Sequence, residues 1–121
     1  MRLVIPGPMP SLNQLIGGKV RDRIRLKRQW KDVVTAHAAR LPAIIGPVRM
    51  RYDFFEFRGG RGRDPLNILA GAAKIIEDAL VSIGVLPYDN REVIHGIEMG
   101  PIVTDKSDPR VEVEITPMEE T

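Results

Sequence analysis

The sequence predicts an α/β fold of the α+β type: a single small two-layer domain over residues 1–121, ordered β-α-β-α-β-β, with a mixed sheet and two main helices. Three observations carry this. Two stretches, Leu26–Arg40 and Pro65–Ile83, repeat apolar residues at helical spacing. Four short stretches are apolar or alternate apolar with charged residues, as half-buried strands do. With 121 residues, 43% of them hydrophobic and 28% charged, the chain can build one core without staples, and nothing marks a second domain.

Arg2-Leu3-Val4-Ile5 reads as a short strand, stopped by PGPMP. The next stretch, SLNQLIGGKVRDR, has no clear period and reads as a loop. From Leu26 on, Leu26, Trp30, Val33, Val34, Ala38 and Leu41 mark one helical face, with Trp30 as a core anchor, and Pro42 ends the helix. Residues 47–57 set Val48, Met50, Tyr52 and Phe54 against Arg49, Arg51 and Asp53, a strand with one buried face. A Gly/Arg loop follows. Ile68, Leu69, Ala72, Ile75, Ile76, Ala79, Leu80 and Ile83 then form a wide helical stripe that Gly84 stops. Residues 92–98 and 110–116 are two more strands, the last alternating Val111, Val113 and Ile115 with Glu112 and Glu114. Their closeness in sequence predicts that part of the sheet is antiparallel. The helical stripe is wide for one small sheet, and Ala70-Gly71-Ala72-Ala73 would allow close helix approach, so a homodimer is expected.

Composition excludes several classes. Without cysteine there is no disulfide framework, thiol nucleophile, iron–sulfur cluster or cysteine-built zinc site. Only two histidines, His37 and His95, are present, and both read as packing or surface residues. No apolar run approaches the roughly 20 residues that span a bilayer. The start MRLVIPGPMPSLN is too short and too broken by proline for a signal peptide, so a cytoplasmic location and no membrane partner are expected.

Charge is lopsided. Residues 1–63 hold 14 Lys/Arg and 4 Asp/Glu, while residues 64–121 hold 4 and 12. The densest basic stretch, KVRDRIRLKRQWK, contains Lys19, Arg21, Arg23, Arg25 and Lys27; a second holds Arg58, Arg61 and Arg63. Such clusters suit phosphate contacts, although either alone also fits a solvated surface. Of six aromatics, four (Tyr52, Phe54, Phe55, Phe57) lie in one strand, which is poor equipment for stacking single-stranded bases. A double-stranded target gripped by its backbone fits better.

The segment RGRDPLNILAGAAKIIEDALVSIGVLPYDNREV, together with PSLN after the first strand, resembles the RusA-type Holliday-junction resolvases, often carried by phages and prophages. The resemblance extends to the length, charge layout and element order over nearly the whole chain. It implies a homodimeric, magnesium-dependent endonuclease that nicks two opposed strands of a four-way DNA junction, with Mn²⁺ as a substitute metal. The family's site is Asp-x-Asp-Asn at the start of this helix, a lysine on the helix and a later aspartate. By this resemblance Asp64, Asn67 and Asp89 are metal residues, and Asp64, Asp89 and Lys74 carry catalysis. Two departures stand out. The second motif aspartate is Leu66, and the family's late acidic pair is Tyr88-Asp89, so two expected carboxylates are missing.

Phosphodiester hydrolysis needs charge neutralised at the phosphate and an activated water. A hard cation held by carboxylates supplies both, and an ammonium such as Lys74 stabilises the developing charge. Each residue also has a plainer reading. Asp64 before Pro65 is a helix N-cap; Asn67 organises a loop; Lys74 pairs with Asp78 at i+4; Asp89 belongs to a turn. A straight helix from Pro65 puts Lys74 roughly 13–15 Å along the axis from Asp64, so a shared metal for Asp64 and Asp89 requires a late helix start, around Asn67, or a curved return loop. Three functions follow: a junction-cutting nuclease, a resolvase-like dimer that binds branched DNA without cutting, or an unrelated small basic nucleic-acid-binding protein.

Overall fold

The computed structural model describes residues 1–58 and 62–118. Five strands, β1 (Arg2–Pro6), β2 (Val48–Glu56), β3 (Ile94–Met99), β4 (Val103–Thr104) and β5 (Arg110–Pro117), form one sheet. The helices α1 (Leu12–Ile16), α2 (Val20–Ala38) and α3 (Pro65–Ser82) make up a second layer. The sheet order is β1-β5-β2-β3, with β4 extending the β3 side of β2.

The sheet is mixed, as expected, but by a different pairing. The last two long strands do not meet, because β2 lies between them: β5 runs antiparallel to both β1 and β2, and β3 runs parallel to β2. The parallel pair needs a crossover, and α3 is that crossover. β4 went unread because two residues carry no alternation. The stretch without a clear period, expected to be a loop, is largely helical. Ser11 and Gln14 form a reciprocal capping box that opens α1, and α2 starts at Val20, six residues before its apolar period begins. The period was silent there because the first half of α2 buries nothing.

The core alternates as the sequence predicted. Val48, Met50, Tyr52 and Phe54 of β2, with Val111, Val113 and Ile115 of β5 and Leu3 and Ile5 of β1, face the helices and are buried. Tyr52 and Phe54 stack with ring centroids 6.4 Å apart. The stripe on α3 is covered within this one chain: Ile68, Gly71, Ala72, Ile75, Ile76, Ala79 and Leu80 are all buried. A Cβ at Gly71 would lie 2.3 Å from the Pro10 carbonyl, so the small residues serve the close approach of the segment leading into α1. Most of the stripe thus needs no second chain to cover it, with Leu69 partly and Ile83 36% exposed. Gly84, at φ +80°, ends α3 with the two hydrogen bonds of a Schellman motif, Gly84 N–H to Val81 and Val85 N–H to Leu80.

Among the described residues, no helix is long and apolar enough to cross a membrane.

Candidate functional site

α3 follows β2 in the chain, and its first turn lies beside the end of β3. Pro65 lines an apolar hollow with Met99, Gly100, Pro101 and Ile102. Asp64 occupies the N-cap position with Pro65 at N1, yet its side chain caps no backbone N–H. Its Oδ2 instead accepts a hydrogen bond of 2.9 Å from Asn67 Nδ2. Asp64 and Asn67 thus form one exposed pair. Leu66 beside them is 73% exposed, so the position where the resemblance expects a carboxylate faces solvent.

Lys74 and Asp89 form a second group further along. The Lys74 ammonium lies 3.8 Å from Asp89 Oδ2 and 3.5 Å from Asp78 Oδ1. The i+4 ion pair and the contact with the late aspartate are both present, so the two readings of Lys74 coexist. The helix starts at Pro65, not at Asn67, which removes the late start as a way to bring Asp64 to this group. Ten residues of helix, about 15 Å of axial rise, separate Asp64 from Lys74. Lys74 is seven residues from Asn67, two turns on, so both lie on one face of α3. Among the described residues no three acidic or imidazole side chains are grouped closely enough to hold one metal ion.

Two residues of this group were missed. Glu77, one turn beyond Lys74, is half-buried, and its Oε2 accepts a 2.6 Å hydrogen bond from the hydroxyl of Tyr52. Burial pushes the Glu77 carboxyl above its ordinary value; the negative charges of Asp89 and Asp78 add to this, against the Tyr52 hydrogen bond and Lys74. Tyr52 is pushed up strongly, first by burial and then by Glu77. The signal was available: a tyrosine in an otherwise aliphatic and phenylalanine face needs a partner for its hydroxyl.

The basic residues divide. Lys19, Arg21, Arg25, Lys27 and Arg28 are exposed on the first half of α2, and Arg23 donates to the Ile16 carbonyl at 3.1 Å. Arg63, expected to contact DNA, is engaged inside the fold. Its guanidinium makes two 2.9 Å bonds to Glu56 and reaches the Met9 carbonyl at 2.6 Å and Gln14 at 3.2 Å. Glu56 is only 6% exposed, so this is a structural ion pair joining the end of β2 to the segment before α1. Arg61 lies outside the described residues. His37 and His95 are exposed, their rings against the backbone carbonyls of Val33 and Glu92.

Magnesium keeps several waters and needs only one or two carboxylates besides phosphate. Asp64 fits that demand, since among the described residues no cationic side chain lies within 4.0 Å of it, and Asn67 is at hand for a carbonyl oxygen if its amide turns. Asp89 fits less well, because Lys74 already balances it. No protein-family model matches this chain, and no curated protein matches it.

Proposed function

We propose that this protein is a metal-dependent endonuclease of branched double-stranded DNA that nicks four-way junctions. The observation that carries the reading is the meeting of Lys74 and Asp89, fifteen residues apart in sequence, on the same helix face as Asn67. These are the residues that the resemblance to RusA-type resolvases selects. Asp64, with Asn67, would hold a magnesium ion, while Asp89, about 15 Å of helix away beside Lys74, would position the ammonium instead of sharing that ion. When bound, such an ion would supply Lewis acidity at the phosphate and would make water a better nucleophile. Lys74, about 15 Å along the helix, would bring its positive charge to a neighbouring phosphate, and Asp78 and Asp89 hold its ammonium in place. The cations of α2 supply sequence-independent affinity. A closed pair of chains would suit two equivalent strands, and the expected site of action is cytoplasmic.

The second reading, a protein that binds branched DNA without cutting, is favoured by the exposed Leu66 and by the helical length between Asp64 and Lys74. One assay decides between them. A labelled synthetic four-way junction is incubated with the protein and Mg²⁺ or Mn²⁺. The nuclease reading expects symmetric nicks that vanish on chelation and in Asp64→Asn, Asp89→Asn and Lys74→Ala, with junction affinity kept. Leu66→Asp should raise activity or lower the metal concentration required. Tight junction binding with no nicks at any metal concentration establishes the second reading; neither binding nor nicking overturns both.

A further inference from the structure

We propose that the outer side of the first half of α2 enters the major groove of duplex DNA, with Arg21, Arg25 and Arg28 on the phosphates of one groove wall and Val20 and Ile24 against base edges. This rests on the reading of the chain as a DNA-binding protein, and it adds which element reads the DNA and through which atoms.

The buried residues of α2 are Val34 and Ala38, both in its second half; from Val20 to Gln29 nothing is buried. The inner side of that first half is held by half-buried Arg23, Leu26 and Trp30. At about 100° per residue, Val20, Ile24, Lys27 and Lys31 form one strip turned away from Leu26, and Arg21, Arg25 and Arg28 lie on the far side of Val20 and Ile24 from the inner face. Val20 is 59% exposed and Ile24 54%. Two β-branched apolar side chains are thus held in water beside a row of arginines, with Lys27 and Lys31 continuing their own strip; Asp22, also exposed, is the one carboxylate on this half of the helix. Among the described residues, no carboxylate lies within 4.0 Å of Lys19, Arg21, Arg25, Lys27 or Arg28; the ion pairs all lie elsewhere.

Charge complementarity identifies the occupant. It must be negative along the arginine flank of a narrow strip that itself runs from apolar side chains to Lys27 and Lys31. The major groove of B-DNA is about 12 Å wide, admits a helix of 10–12 Å diameter, has phosphates on both walls and presents thymine methyl groups at its floor. The free length from Lys19 to Gln29 is about 15 Å, enough to follow the groove across several base pairs. An anionic membrane fits worse, because interfacial helices present bulky Trp, Phe or Leu to the lipid, and this helix presents a valine and an isoleucine. Duplex RNA fits worse too, since its deep, narrow major groove shuts out side chains.

The experiment measures binding of the full chain by fluorescence anisotropy, without metal, to a four-way junction, to one with uracil in place of thymine, and to an RNA duplex. Methyl green and distamycin serve as major- and minor-groove competitors. The doubly substituted Val20→Ala, Ile24→Ala protein should bind the thymine junction about tenfold more weakly with the same salt dependence, because apolar contact is lost and phosphate contact is kept. Uracil should weaken the natural protein and leave the variant unchanged. Methyl green should compete and distamycin should not. Both positions are exposed and alanine favours helix, so the variant folds; far-ultraviolet circular dichroism checks this. Equal affinity of variant and natural protein, competition by distamycin alone, or RNA bound as tightly as DNA overturns the groove proposal. Absence of all DNA binding overturns it together with the DNA reading. Groove-dependent binding without nicking supports it and removes only the nuclease.

Discussion

The open face of the sheet and the first half of α2 carry similar densities of arginine and opposite electrostatic consequences. On the sheet, Arg2 pairs with Glu112, Arg49 and Arg51 with Glu98, Arg51 also with Asp53, and Arg110 with Asp105, Asp108 and Glu112. The strand register makes this possible: it sets Arg51 of β2 opposite Glu114 of β5, which in turn faces Arg2 of β1. On the first half of α2, among the described residues, the cations have no carboxylate within 4.0 Å, although Asp22 lies on the same half-helix. Several first-half arginines are therefore neutralised by second-half acids, and the largest group of unpaired cations among the described residues lies on one half-helix. Linear charge asymmetry locates a binding face only after tertiary pairing has been subtracted.

The largest effect should come from the most enclosed pair. Arg63→Ala leaves the Glu56 carboxylate, 6% exposed, without its partner, and thermal or urea unfolding should show a loss of about 3 kcal/mol. If Arg63→Ala leaves stability intact and instead lowers DNA affinity, Arg63 belongs with the unpaired cations and the contrast is drawn in the wrong place. Next in size, Arg21→Glu with Arg25→Glu should lower affinity for any branched duplex by about two orders of magnitude at low salt and reduce the salt slope by about two, without changing the unfolding midpoint. An unchanged slope would make α2 merely a solvated face.

A smaller effect separates the two regions by pH. Glu77 has a raised pKa in the folded chain, so its contribution to stability is complete below its ordinary value of 4.5 and is lost as pH rises through the raised value. Asp105, held below its ordinary 3.8 first by the Arg110 hydrogen bond, behaves oppositely: its contribution is present above that value and is lost as pH falls through the lowered one. Unfolding followed from pH 3 to 8 should show Glu77→Gln removing the alkaline-side decline, and Asp105→Asn removing part of the acid-side decline. The smallest effect belongs to Arg51→Gln. Its partners are solvent-accessible, so stability should fall only slightly, less still in high salt, and junction affinity should not move.

Much of the fold was legible in the residues. The alternation of Val48, Met50, Tyr52 and Phe54 fixed the buried face of β2, and the stripe from Ile68 to Leu80, closed by Gly84, gave α3 nearly to the residue. α1 and the start of α2 were not legible through period, because period reports burial, and these segments bury little; the capping pair Ser11 and Gln14 was the signal that remained. At the site, the spacing of Lys74 and Asp78 was readable as an i,i+4 pair because a helix brings such residues together wherever it sits. The approach of Asp89 to Lys74 depends on the path of the return loop, and the Tyr52–Glu77 hydrogen bond depends on α3 lying over β2.

The sequence by itself determined the local structure and the inward face of each long element, since periodicity, caps and helix-stopping glycine act over a few residues. Only the tertiary structure decided which strands are neighbours, that the small residues of α3 receive this chain's own α1 segment, and which arginines remain available for a partner. Those outcomes depend on pairings across tens of residues, where chain connectivity leaves several registers open and burial of the whole core selects one.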